Sequence, residues 1–352
     1  MAVQTAPAPP ESTPTPARPQ PRGQRRVLKF GAALVVLALI CAASLAFGSR
    51  PISFDVLVAA LTDFDPTNGD HAVVHSRIPR TVTGLMVGAA LGLAGAAMQG
   101  VARNPLADPG ILGVNAGAAL AIVTGIYVFG VADVTGYIWF AFAGAALAAV
   151  VVYAIASLGR DGATPIKLAL AGAALSAGLG SLMNAVLVSS QETLDRFRFW
   201  QVGTVSGRGW DVLLPVLPFL IVGILLTLAT GKALNSLSLG DDIAKGLGQN
   251  VAVARGIAAL GVVILCGAAT AAAGPIAFVG LVIPHMVRVL TGPDYRWILP
   301  FSVVLAPVLL IGADIIGRLI LPPGEVQVGI MTAVIGAPVF IWLVRRRKLA
   351  QL

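Results

Sequence analysis

The sequence predicts an all-α, polytopic transmembrane helical bundle of about ten spans, with both termini on the cytoplasmic side. Three observations carry that expectation. Apolar residues make up 57% of the chain and charged residues only 11%, far from the balance of a water-soluble domain. The apolar runs are long: about 20 helical residues cross a hydrocarbon core of about 30 Å, and runs of that order recur along most of the chain. The runs do not alternate with period two, so a closed barrel is set aside, and helices remain as the structure that satisfies its own backbone in lipid.

Taken in order, residues 1–26 contain "APAPPESTPTPARPQPRGQRR", which has no apolar period and cannot offset its ordering entropy by burial. A disordered cytoplasmic tail is expected there. The next stretch, "RRVLKFGAALVVLALICAASLAFGS", has the look of a twin-arginine export signal. It is read as a first membrane anchor, because the rest of the chain also inserts. A transmembrane domain then covers 27–348, with 349–352 as a short cytoplasmic end. Its spans are expected at 29–48, 80–101, 111–131, 137–158, 168–189, 211–230, 253–272, 276–290, 298–317 and 328–344. The seventh and eighth are separated only by the break at Gly274-Pro275.

The basic residues orient this bundle. With the amino terminus inside, seventeen of the 24 Lys and Arg fall on the cytoplasmic side, including Arg103, Arg160, Lys245, Arg255 and the terminal "RRRK". Seven fall outside: Arg50, Arg77, Arg80, Arg196, Arg198, Arg208 and Arg318. Removing the tail leaves twelve against seven, so the bias toward the inside does not depend on it. The same clustering at span ends argues against nucleic acid as the reason for the net charge of +8. Cys41 and Cys266 lie in apolar runs without metal or disulfide spacing and read as packed small residues.

Within the second span, Gly84, Gly88, Gly92, Ala96 and Gly100 draw one smooth ridge that lets a neighbouring backbone approach closely. The fifth span repeats the device with Gly172, Ser176 and Gly180 and ends on Asn184. Tight packing and the wall of a polar pathway are both open readings for Ser176 and Asn184. A short echo links "AGAAMQGVARNPL" to "AGPIAFVGLVIPH", five spans apart, as inverted repeats would be.

Charge chemistry narrows the function. Asp314 is the single acidic residue placed inside a span, four residues before Arg318, where the two can pair along a helix face or leave Arg318 for something outside. Such a shortage of carboxylates weakens an ion-coupled carrier. An enzyme fares no better: there is no H-E-x-x-H, and His285 stands alone in "IPHMVR". A phosphate loop is also missing from the sequence, since Gly231-Lys232 lacks the upstream Gly and the hydroxyl residue. Nucleotide energy would have to come from another chain.

One polar stretch on the cytoplasmic side, "NSLSLGDDIAKGLGQN" from Asn235 to Asn250, bears on that point. Asp241 and Asp242 suit a helix start, Lys245 its last turn, and Gly246 and Gly248 stop it after about two turns. Ile243 and Leu247 form a small apolar stripe. So short a helix is marginal alone in water. It either docks in a partner's groove or folds back on its own bundle.

The segment "LSLGDDIAKGLG" resembles the cytoplasmic coupling loop of ABC-importer permeases of the iron-siderophore and cobalamin (FecCD-type) family. Other family motifs follow in order: "RIPR" at 77–80, "NPLADPGILG" at 104–113, "AGPIAFVGLVIPHMVR" at 273–288, "ADIIGR" at 313–318 and "GIMTAVIGAPVF" at 329–340. The resemblance implies a ten-helix permease subunit of the cell membrane that catalyses no reaction and binds no cofactor or metal. It implies a second permease subunit, identical or paralogous, two cytoplasmic ATPases that use ATP and Mg, and an extracytoplasmic substrate-binding protein. Its cargo would be an iron-siderophore complex, with cobalamin or haem as the alternative and ion-coupled transport as the rival class. The coupling positions carried over are Leu239, Gly240, Asp241, Asp242, Ala244, Lys245, Leu247 and Gly248. Arg77 and Arg318 match the family's docking arginines, Arg80 an anchor of the second helix, and Ser176, Gly180 and Asn184 the pathway. In one departure, Gln327 stands where the family shows Pro, so a less rigid outer loop is expected; Glu325 beside it pairs locally or faces the binding protein.

Overall fold

The apolar runs fold as helices, and the polar punctuation between them sets the turns. A computed structural model describes residues 22–131, 133–158 and 164–349, and among these the secondary structure is helical throughout. Ten apolar helices match the ten expected spans one for one: α1 (Arg22–Ala46), α3 (Gly69–Val101), α4 (Val114–Phe129), α5 (Val134–Ala156), α6 (Pro165–Ser189), α8 (Trp210–Ala229), α11 (Val251–Ala273), α12 (Val279–Thr291), α13 (Tyr295–Ile320) and α14 (Val328–Leu349). Seven are long and apolar enough to cross a membrane by themselves; α4, α12 and the apolar part of α14 are shorter. Four further helices lie between them: α2 (Phe54–Thr62), α7 (Gln191–Gln201), α9 (Gly231–Ser238) and α10 (Asp241–Gly246). The charge bias distinguishes the inner end of the bundle from the outer one.

Two helix starts differ most from the expectation. Helix α1 begins at Arg22, so the last five residues assigned to the tail are helical, while residues 1–21, Arg160 and 350–352 lie outside the described residues. Helix α3 begins at Gly69, eleven residues before the expected span, capped by the Asn68 side chain, which accepts from the Asp70 N–H. At about 1.5 Å per residue its 33 residues reach about 50 Å, more than the apolar core needs, so its polar first turns stand proud of the outer side.

Helix α3 is the axis of the bundle. Its glycine ridge meets α13 at close range: a Cβ at Gly84 would stand 3.1 Å from the Ile311 side chain, and one at Gly88 would stand 2.7 Å from Pro307 Cα. At Gly92 a Cβ would lie 2.8 Å from the Ser302 carbonyl oxygen, and at Gly100 it would press on Leu234 and Tyr295. The approach that the four-residue spacing predicts is therefore present and has α13 as its partner. Helix α1 lies outside this pair, with Phe30 edge-on to Phe301 at 5.1 Å and the Lys29 ammonium donating to the Leu290 carbonyl at 2.9 Å. Cys266 is buried and Cys41 half-buried.

The chain breaks between α11 and α12 where Gly274-Pro275 predicts it, and Gly274 and Phe278 both take positive φ there. The two echoing segments do not share local structure. Residues 94–101 end a continuous helix, whereas 274–278 are non-helical and precede one. They touch instead: Gln99 donates to the Leu281 carbonyl at 3.2 Å.

Candidate functional site

At the inner surface, α9 and α10 form the polar stretch read from Asn235 to Asn250. Gly240 joins them with φ 114°, and Gly248 closes α10 with φ 79°, values that a side chain resists. Ala244 is fully buried, so one face of α10 does fold back on the bundle. On the other face Ile243 and Leu247 are each more than half exposed, as predicted for the stripe, and Leu239, before the Gly240 break, is exposed as well. Asp242, Lys245 and Gly246 stand at the surface around them.

Asp241 does more than begin a helix. Its carboxylate accepts from Arg255 of α11 at 2.9 Å and pairs with Arg103, which follows α3 in a positive-φ turn. Burial, and then the neighbouring Arg255, pushes the Arg103 guanidinium pKa down, and Asp242 opposes that. Helix α10 is thus pinned by its first residue to the ends of two spans. Sequence alone pointed to the helix dipole for Asp241 and did not reach these partners, which come from distant turns.

A second tie lies one helix earlier. Asn235 of α9 donates through Nδ2 to Asp294 Oδ1 at 2.7 Å and accepts the Tyr295 N–H at Oδ1, 2.8 Å away. Asp294 caps α13 through the Arg296 N–H at 3.0 Å and holds the Arg296 guanidinium at 3.0 and 3.1 Å. The Arg296 side-chain bond, with the Asn235 bond behind it, holds the Asp294 carboxyl down at about 2 against the opposing effect of burial.

At the outer end, the predicted arginines converge on one cavity of about 590 Å³, walled by Arg50, Arg77, Arg80, Arg208, Arg318 and Glu325. Arg77 and Arg318 are not offered outward. Arg318, 2% exposed, donates to the Ser44 and Phe47 carbonyls at 3.0 and 3.1 Å and to Ser44 Oγ at 2.9 Å. Arg77 donates to the Leu45 and Ala46 carbonyls at 2.8 and 3.0 Å and to that of Arg50 at 2.5 Å. Both guanidinia satisfy carbonyls that α1 leaves open at its carboxyl end.

Arg80 is the hub of the cluster. It binds Asp314 in two-pronged fashion at 2.7 and 3.0 Å, Ser206 Oγ at 3.2 Å and Glu325 at 3.0 Å. Arg318 closes on Asp314 from the other side at 3.1 Å, the four-residue pairing that the sequence suggests. Glu325 pairs locally, with Arg80 and with Ser206 Oγ at 2.9 Å. Gln327 buries its carboxamide oxygen without a hydrogen-bond partner among the described residues.

Arg208 is the residue that sequence reasoning counted only as a charge. It is 7% exposed, lines the cavity between Gly207 and Gly209, and its Nε has no hydrogen-bond partner among the described residues. Burial pushes its pKa down, with Asp211 pulling the other way. A buried cation in that state is stabilised by an arriving anion. The flanking glycines were the available signal.

Helix α6 carries Ser176, Gly180 and Asn184 along one stripe. Only 11% of its apolar window is buried, the same share as in α1. Asn184 is exposed, Gly180 faces open space, and Ser176 is half-buried with its Oγ turned toward Gly113. The three do not join the arginine cavity.

Comparison with known proteins places this arrangement. The model of the FecCD transport family matches residues 35–346. The chain is 45% identical over 323 residues to the ferric enterobactin transport system permease protein FepD of Escherichia coli (strain K12), covering 92% of this chain and 96% of that one. It is 41% identical over 327 residues to the Fe(3+)-citrate import system permease protein YfmD of Bacillus subtilis (strain 168), covering 93% and 97%. A solved structure described as a candidate metal-chelate type ABC transporter, in an inward-facing conformation, superposes with a TM-score of 0.81 at 29% identity, covering 91% and 99%.

Proposed function

This chain belongs to the FecCD transport family and is a multi-pass membrane permease, and from that premise we propose that it imports ferric chelates of the siderophore class, driven by ATP hydrolysis on partner chains. The observation that carries the ATP-driven reading is helix α10, with Ile243 and Leu247 exposed beside an equally exposed Leu239 while Ala244 and Asp241 fix it to the bundle. A rigidly held apolar stripe at the inner surface is what a nucleotide hydrolase would grip. Its ATP-dependent closure would push on α10 and bias the packing of the spans tied to it. The cargo class is supported by relatives whose names specify ferric enterobactin and ferric citrate.

The outer cavity is the docking point for an extracytoplasmic binding protein in this reading. Arg77 and Arg318 set a positive potential in its wall, and Arg208 is the cation left to receive an acidic side chain. Charge complementarity of this kind fixes register and encounter rate. The exposed face of α6, with Gly180 and Asn184, faces a second permease subunit across the pathway. Asp314 also bears on the rival class: an acid clamped between Arg80 and Arg318 is poorly placed to bind and release a coupling ion.

The test is purification of the complex with its ATPase and binding protein in lipid nanodiscs. Ferric-chelate-loaded binding protein is expected to stimulate ATP hydrolysis, and Ile243→Asp to remove the ATPase from the complex. Stimulation by cobalamin or haem alone would overturn the cargo; uptake that survives loss of ATP and collapses with the proton gradient would overturn the class.

A further inference from the structure

We infer that Asn235 is a positioning residue that fastens the ATPase-facing helix pair to α13, so that the state of α10 at the inner surface is carried to the arginine cavity at the outer one. The inference rests on the ATP-driven reading and adds to it the route of the coupling. Only Leu239 and Gly240 separate α9 from α10, and α9 otherwise packs without directional bonds to its neighbours among the described residues: Leu234 and Leu237 are buried, Leu234 lies against Gly100 of α3, and Gly231 lies near the Arg296 backbone of α13. Asn235 supplies a directional contact, using both ends of its carboxamide on the first turn of α13. The Tyr295 N–H is one of the amides a helix start leaves open, so withdrawing Asn235 exposes it as well as the cap.

From that turn α13 runs 26 residues, about 39 Å, and ends in Asp314 and Arg318. Along the way it cannot slide freely on α3, because the backbones of Pro307 and Ser302 fill the hollows at Gly88 and Gly92. Its far end holds Arg80 of α3 through Asp314, and Arg80 in turn holds Glu325 and Ser206. Arg318 reaches on to the carboxyl end of α1. A shift of α9 and α10 must therefore either break the Asn235 bonds or move α13, and moving α13 moves the wall of the cavity. The Asp241 pairs with Arg103 and Arg255 lead to α3 and α11, so they form a parallel tie to the helix that carries Arg77 and Arg80, while Asn235 is the direct tie to α13.

The experiment uses the reconstituted complex of permease, ATPase and binding protein, comparing wild type, Asn235→Ala and the exchanged pair Asn235→Asp with Asp294→Asn. For Asn235→Ala we expect an intact complex and basal ATP hydrolysis within about twofold of wild type. Stimulation by chelate-loaded binding protein should fall about tenfold, as should chelate transported per ATP. The exchanged pair keeps an acceptor for the Tyr295 N–H and a donor between the two side chains, and should restore the ratio. An unchanged ratio in Asn235→Ala overturns the inference. So does an equal loss of basal and stimulated hydrolysis, which is what a purely structural role would give. A wild-type complex that ignores every chelate-loaded binding protein overturns the functional reading itself, and the inference with it.

Discussion

Replacing Gly88 by alanine tests a backbone-to-backbone contact between α3 and α13. A methyl there would meet Pro307 Cα at 2.7 Å and Pro307 N at 2.8 Å, with the Ala306 carbonyl carbon at 3.2 Å. Carbon atoms in favourable contact sit about 3.5–4.0 Å apart, so α3 and α13 must separate by about 1 Å. The opposing atoms are helix backbone and cannot swing aside. Overpacking of this kind costs about 1–3 kcal/mol, against which alanine recovers up to about 1 kcal/mol of helix propensity over glycine. Gly31 on α1 supplies the control, because a Cβ there meets nothing within 4 Å and only the propensity gain applies. Thermal unfolding in detergent, followed by tryptophan fluorescence, should place Gly88→Ala below wild type and Gly31→Ala at or above it. The gap between the two variants should be about 1–3 kcal/mol. If Gly88→Ala melts at or above Gly31→Ala, the two helices are not in backbone contact and the reasoning from the glycine ridge is wrong.

Three further outcomes are expected. Arg80→Ala leaves the buried Asp314 with one partner and should destabilise by about 3–5 kcal/mol in the same assay, and an Arg80→Gln, Asp314→Asn cycle should show strong coupling. Arg208→Gln should weaken binding-protein association about tenfold at low salt, measured by biolayer interferometry, with the melting temperature unchanged because its Nε has no hydrogen-bond partner among the described residues. Asp294, held at about 2, adds stability that is complete above the ordinary carboxylate range and is lost as pH falls through about 2. The deficit of Asp294→Asn should accordingly persist from pH 7 down to pH 4 and shrink near pH 2, as read by acid-unfolding curves.

The sequence is most legible where one physical requirement acts locally. Glycines four apart announce a smooth helix face, two aspartates and two glycines bracket α10, and Gly274-Pro275 ends a helix. Each survives in the structure because chain neighbours settle it. Helices α2 and α7 were not foreseen: they are short, and their polar or mixed faces carry no long apolar run. The partners of Arg77 and Arg318 were hidden for a different reason. An arginine at the outer end of a span reads as facing outward, yet their acceptors are carbonyls 27 and more residues away in sequence, at and just beyond the end of α1. Periodicity cannot show which distant backbone is short of a donor. Asn235 was equally opaque, since its value lies in a cap about sixty positions downstream.

The grip of Arg318 on α1 also sets a timetable for biogenesis. The first helix enters the bilayer while the donor for its Ser44 and Phe47 carbonyls lies 274 and 271 residues further along the nascent chain. At about 5–20 residues per second, roughly 15–55 s pass before that donor is synthesised. Until then interfacial water must serve those oxygens, and a ribosome stalled before α13 would release a chain whose leading helix is still unfastened at its outer end.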